Sequence, residues 1–126
     1  MTTVLIADDE PNVRLLVTTL VACARHAVLE AADGEEAWAL LREHRPALAI
    51  LDVQMPGRSG LALARAVKDD PALAGTYVIL LTARAQATDV AAGKEAGADA
   101  YLTKPFSPLQ LLAAVEQALA QAHAPH

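Results

Sequence analysis

The chain is poor in most of what usually announces a binding partner or a compartment. A single cysteine in 126 residues rules out an intramolecular disulfide. That residue, Cys23, sits in an apolar helical stretch and reads as a small packed hydrophobe rather than a reactive thiol. Aromatic residues make up only 3% against a hydrophobic share of 54%, so the core is expected to be built from Ala, Val, Leu and Ile. There is no run of Lys or Arg and the formal net charge is −5, which argues against a nucleic-acid or anionic-membrane surface and leaves proteins and small ions as partners. No stretch of about 18 apolar residues is present, and no positively charged apolar leader precedes the first strand-like run. A cytoplasmic location without membrane insertion is therefore expected. His26, His44, His123 and His126 are scattered, with no Cys or His at i,i+4 spacing, which argues against zinc.

What is present is a regular alternation. Apolar runs at Thr3 to Ala7, Ala27 to Ala31, Ala47 to Leu51, Tyr77 to Leu81 and Ala100 to Leu102 alternate with helical patterns, the signature of βαβ units and a parallel sheet. Most of the runs are continuously hydrophobic, as strands covered on both faces should be. Pro11 opens a first helix whose buried stripe is expected to be Val13, Leu16, Val17, Leu20, Val21 and Ala24. Asp33 and Glu36 form a capping box for a second helix burying Ala37, Leu40 and Leu41, with Trp38 at the edge of that stripe and Pro46 as the stop. A third helix is expected from Ser59 to about Asp70, a fourth from about Gln86 to Gly97, and a last one behind the Ser107–Gln110 capping box, burying Leu111, Leu112, Val115 and Leu119. The length suits one domain over 1–126, with a core of about 3–121 and a frayed tail at 122–126.

The chemistry gathers where strands end. Asp8 and Asp9 follow the first run and Asp52 follows the third. If those strands are parallel neighbours, the acids share the edge on which open α/β sheets carry their sites. Three like charges there repel unless a divalent cation binds them or one retains a proton. Magnesium takes hard oxygen ligands, usually one or two carboxylates with water and phosphate oxygens. Asp9 and Asp52 suit that role, with Asp8 holding a bound water and the Gln54 carbonyl turned back by Met55-Pro56-Gly57. Asp52 is then the candidate nucleophile towards phosphorus, and Thr82 and Lys104, at the ends of the fourth and fifth runs, reach the phosphoryl oxygens. Each residue alone has an ordinary reading: Asp9 as a helix cap, Asp52 as a turn former, Thr82 bonded locally and Lys104 exposed. Their coincidence on one edge favours a site.

With Asp8-Asp9, Asp52 and Met55-Pro56-Gly57, Thr82-Ala83, and Lys104-Pro105-Phe106 in this order on a βα framework, the chain resembles the response-regulator receiver domains of two-component signalling. The resemblance covers about residues 3 to 121. It implies a flavodoxin-like doubly wound (βα)5 fold with strand order 2-1-3-4-5. It also implies phosphorylation of Asp52 from a histidine kinase or histidine phosphotransfer protein with Mg2+ as cofactor. Thr82 and Tyr101 stand at the family's switch positions, and Gln54 and Arg84 where the lifetime of the acyl phosphate is adjusted. The output implied is a shift of the face formed by the 86–97 helix, the fifth strand and the last helix towards a downstream protein target. Such a module catalyses only its own phosphorylation and dephosphorylation and is not an enzyme in the usual sense. A stand-alone, chemotaxis-regulator-like receiver is expected, the alternative being the receiver of a larger regulator or hybrid kinase. Few charges mark the last two helices, chiefly Asp89, Lys94, Glu95 and Glu116, which favours a monomer. Haloacid-dehalogenase-like phosphatases fit less well, since Gln54 stands where they place a second Asp.

Overall fold

The computed structural model describes residues 3–23, 26–82, 97–103 and 106–122, with the side chains of residues 23, 121 and 122 left aside. The strands are β1 (Thr3–Ala7), β2 (Ala27–Ala31), β3 (Leu48–Asp52), β4 (Tyr77–Thr82) and β5 (Ala100–Thr103). They form one parallel sheet in the order β2-β1-β3-β4-β5. The helices among the described residues are α1 (Pro11–Cys23), α2 (Gly34–His44), α3 (Gly60–Asp69) and α4 (Pro108–Ala122). The helix expected over 86–97 lies outside the described residues apart from Gly97, whose φ of 89° suits the helix-ending role expected of it.

Alternation along the central strands builds two cores. Leu5, Ala7, Ala49, Leu51, Val78 and Leu80 turn to the side covered by α2 and α3. Val4, Ile6, Leu48, Ile50, Ile79 and Leu81 turn to the side covered by α1 and α4. Since both faces are covered, nothing in these strands needs to be polar until they reach the sheet edge.

The helix boundaries follow from capping. Asp33 Oδ1 accepts the Glu36 N–H at 2.8 Å, while Glu36 Oε1 accepts from Ala32 N at 2.9 Å, one residue earlier than in the usual reciprocal box. Arg45, at φ 47° and ψ 60°, closes α2 in the left-handed region just before Pro46. At α4 the box is reciprocal: Ser107 Oγ accepts from Gln110 N and Gln110 Oε1 from Ser107 N.

Some expectations shift. Leu16 is 38% exposed, because α1 buries a narrower stripe centred on Val17 and Val21. On α4, Ala118 is buried while Leu112 is only half-buried. β3 begins at Leu48 and continues through Asp52, β4 continues through Thr82, and β5 through Thr103. The polar ends still pair in the ladder, Asp52 with Leu81 and Thr82 with Thr103.

At the opposite edge of the sheet, Asp99 fixes the start of β5. Its Oδ2 accepts from Lys68 Nζ of α3 at 2.8 Å and from Val78 N of β4 at 2.8 Å, and its own N–H donates to Val78 O at 3.0 Å. Lys68 Nζ also donates to Thr76 O at 2.7 Å. No helix among the described residues is long and apolar enough to cross a membrane.

Candidate phosphoacceptor site

From β1 the chain moves outward to β2, then returns past β1 to place β3 on its other side. That reversal puts a crevice between the carboxyl ends of β1 and β3, where no crossover covers the edge. Ala7 pairs with Leu51, so Asp8 and Asp52 reach the edge at the same level. Both are buried, Asp8 completely and Asp52 to 6% exposure, whereas Asp9 and Glu10 are exposed.

One carboxylate oxygen from each of Asp8, Asp9, Glu10 and Asp52 falls within a group spanning no more than 4.8 Å. Asp8 is held from several directions. Its N–H donates to Ala31 O at 3.1 Å, its Oδ1 accepts from Glu10 N at 2.9 Å, and its carbonyl accepts from Arg14 Nη1 at 2.8 Å. The same guanidinium reaches Glu30 at 3.9 Å. Asp52 Oδ1 accepts from Gln54 N at 3.3 Å, the turn-forming bond its ordinary reading foresaw, so the turn and the cluster coexist. The chain is steered behind it by Val53 N donating to Leu81 O and Gly60 N to Val53 O.

Gly60 is required there for space: a Cβ on it would lie 2.2 Å from the Asp52 carbonyl oxygen. A cavity of about 460 Å³ beside the acids is lined by Asp9, Val53, Gln54, Met55, Pro56 and Ser59. The donor set is all hard oxygen and all anionic, which fits a divalent cation of the magnesium class. It offers nothing to a soft metal.

Thr82, at the end of the strand beyond Asp52, is 1% exposed, and its Oγ1 has no hydrogen-bond partner among the described residues. A buried hydroxyl in that condition is costly at rest and is available to a group arriving from the crevice. Tyr101 pairs with Leu80 and is half-buried against the α2–α3 core. Its hydroxyl is also buried without a hydrogen-bond partner among the described residues, and burial, with the Asp99 carboxylate second, raises its pKa. Lys104 and Arg84 lie outside the described residues, as do Asp89, Lys94 and Glu95. The ladder brings β5 to the same edge at Thr103, the residue before Lys104.

The structure thus brings together Asp8, Asp9, Asp52 and Gln54, with Thr82 one strand further on. Sequence reasoning did not give Glu10 a role. Its position directly after the acid pair, ahead of a helix opening at Pro11, was the available signal.

Residues 4–116 match the response regulator receiver domain family, and the chain belongs to it. It is a module of phosphorylation-dependent signalling. The phosphate regulon transcriptional regulatory protein PhoB of Pseudomonas aeruginosa is 38% identical over 117 residues, which are 93% of this chain and 51% of that protein. The chain spans about half the length of that relative and of the next two curated ones it matches. Among solved structures, the chemotaxis response regulator CheY4 of Vibrio cholerae superposes with a TM-score of 0.88 at 33% identity, over 94% of this chain and 98% of that one. The signal receiver domain of a signal transduction histidine kinase from Syntrophus aciditrophicus gives a TM-score of 0.91 at 32% identity, over 100% of this chain and 96% of that one.

Proposed function

We propose that Asp52 is the phosphoacceptor of a single receiver domain working in the cytoplasm, charged by a histidine kinase or histidine phosphotransfer protein. The observation that carries this is the acid group spanning no more than 4.8 Å, with the Thr82 hydroxyl, which has no hydrogen-bond partner among the described residues, on the adjacent strand. An Asp52 oxygen attacks the phosphorus of a phosphohistidine; the new O–P bond forms as the P–N bond breaks and the imidazole leaves with the bonding pair. Asp9, Asp52 and the Gln54 carbonyl would hold Mg2+, with Asp8 acting through water and Glu10 adding charge. Bound Mg2+ would neutralise phosphoryl oxygens that the four acids otherwise repel.

Thr82 donates to the phosphoryl group through its buried hydroxyl, and Lys104 is assigned its remaining charge. Drawing Thr82 inward vacates space into which Tyr101 turns, and the face carrying β5 and α4 shifts towards a protein target. Gln54 and Arg84 are assigned to the lifetime of the acyl phosphate, the Arg84 stem screening it from in-line water.

A second reading is favoured by the relatives' lengths: the module as the receiver of a longer regulator, as in the transcriptional regulatory protein it resembles. In either case the domain itself contacts proteins rather than nucleic acid, in keeping with its charge of −5. Incubation with acetyl phosphate and Mg2+, followed by intact mass, should show one phosphoryl adduct that Asp52→Asn abolishes. An undiminished adduct on the Asn variant would remove Asp52 from this role.

A further inference from the structure

The loop that leaves Asp52 does not stand alone; it is clasped by the N-terminal turn of α2. Gly34 N donates to Pro56 O at 3.0 Å. Gly34 also lies so close to the loop that a Cβ on it would fall 2.0 Å from the Arg58 carbonyl oxygen. Gly57, at φ +76°, turns the chain over Glu35. Arg58 completes the arrangement: its Nε is 3.3 Å from Glu35 Oε1, and its guanidinium lies 5.0 Å from the centroid of the Trp38 ring. The backbone contacts hold residues 56 to 58, and the side-chain contacts tie the same segment to the outer surface of α2. Gln54, two residues before that segment, lines the crevice with Met55 and Pro56.

We propose that Arg58 is a positioning residue: its clasp on Glu35 and Trp38 holds the loop in the conformation that presents the Gln54 carbonyl to the cation. Occupancy of the acid cluster and closure of the clasp are therefore coupled. This rests on reading the cluster as the Mg2+ site. Linkage makes the coupling reciprocal: if the clasp favours cation binding, cation binding must tighten the clasp by the same factor. Trp38 is the chain's one tryptophan, so the outer end of that coupling carries its own spectroscopic label.

The test is a Mg2+ titration followed in parallel by heat and by tryptophan fluorescence, on the wild type, Arg58→Ala, Arg58→Lys and Asp9→Asn. The wild type should show a fluorescence change that saturates with the heat. Arg58→Ala should bind Mg2+ about fivefold more weakly, in keeping with the modest worth of an exposed ion pair and a cation–π contact, and its fluorescence should no longer respond. Arg58→Lys, which keeps a cation facing both partners, should recover most of the affinity and the signal. Unchanged Mg2+ affinity in Arg58→Ala, with Asp9→Asn strongly weakened, overturns the clasp and leaves the site intact. Unchanged affinity in Asp9→Asn overturns the reading of the site and the clasp with it.

Discussion

Replacing Thr82 by Val should make the resting protein more stable and the switch less responsive. Thr82 ends β4 at 1% exposure, and its hydroxyl has no hydrogen-bond partner among the described residues. An unsatisfied buried hydroxyl costs about 1–3 kcal/mol, and Val supplies a methyl of similar shape with the β-branching a strand favours. A gain of about 1 kcal/mol follows once imperfect repacking is allowed for, equivalent to roughly 4 °C in Tm for a domain of this size. The phosphorylated state loses in the same exchange. A neutral hydroxyl donating to a phosphoryl oxygen is worth about 1.5–3 kcal/mol, so its removal should reduce the stabilisation of the switched state by about tenfold or more. Urea unfolding with and without beryllofluoride, a phosphoryl mimic, reads both effects. The variant should have the higher midpoint without the mimic, an unchanged slope, and a smaller increment when the mimic is added. A variant less stable than wild type by 1 kcal/mol or more would show that the hydroxyl is already satisfied at rest, and the argument for its recruitment would fall.

The Gly60→Ala change forces a methyl towards the Asp52 carbonyl, 2.2 Å from the ideal Cβ position, and should destabilise the fold by about 2–4 kcal/mol, read as a fall in urea midpoint. A loss below about 0.5 kcal/mol would mean the loop behind Asp52 yields freely. Tyr77 and Tyr101 both have pKa values raised above 10.0, by burial first and the Asp99 carboxylate second. Their contribution to stability is fully present below pH 10.0 and is lost as pH rises through their folded-state values, because the unfolded chain ionises first. Denaturation midpoints should therefore fall above pH 10.0 in step with phenolate absorbance, and Tyr101→Phe should reduce the slope; an unchanged slope in that variant would assign the alkaline loss elsewhere.

Much of the framework was legible because each signal was local. Val4 to Ala7 and Leu48 to Leu51 announce covered strands through unbroken hydrophobicity, and Asp33 with Glu36 and Ser107 with Gln110 mark helix starts within a few residues. The acid pair and Asp52 were visible for the same reason, each set directly behind an apolar run. The misses are non-local. Asp52 and Thr82 look like the first loop residues, yet they belong to their strands because the ladder supplies Leu81 and Thr103 as neighbours. Leu16 fits the helical period as well as Val17 does, and only the position of the sheet and α4 decides which is covered. Arg58 stacking on Trp38 joins two elements whose meeting no window along the chain reveals.

The anchor at Asp99 has a mechanical consequence. Held by Lys68 and by both directions of hydrogen bonding to Val78, the first end of β5 is a fixed point shared with α3 and β4. The other end, at Thr103, lies on the carboxyl edge of the sheet and pairs with Thr82 of β4. A strand of this length is a lever of about 13 Å. If Thr82 is drawn inward as proposed, force on the Thr103 end of β5 would meet a pivot at Asp99, and the strand would swing rather than slide. Displacement would then grow with distance from the pivot, smallest at Ala100 and greatest where the chain leaves the sheet. A small inward step beside Asp52 would in this way be delivered as rotation to whatever rests on that edge, while the ladder nearest Asp99 would keep its register.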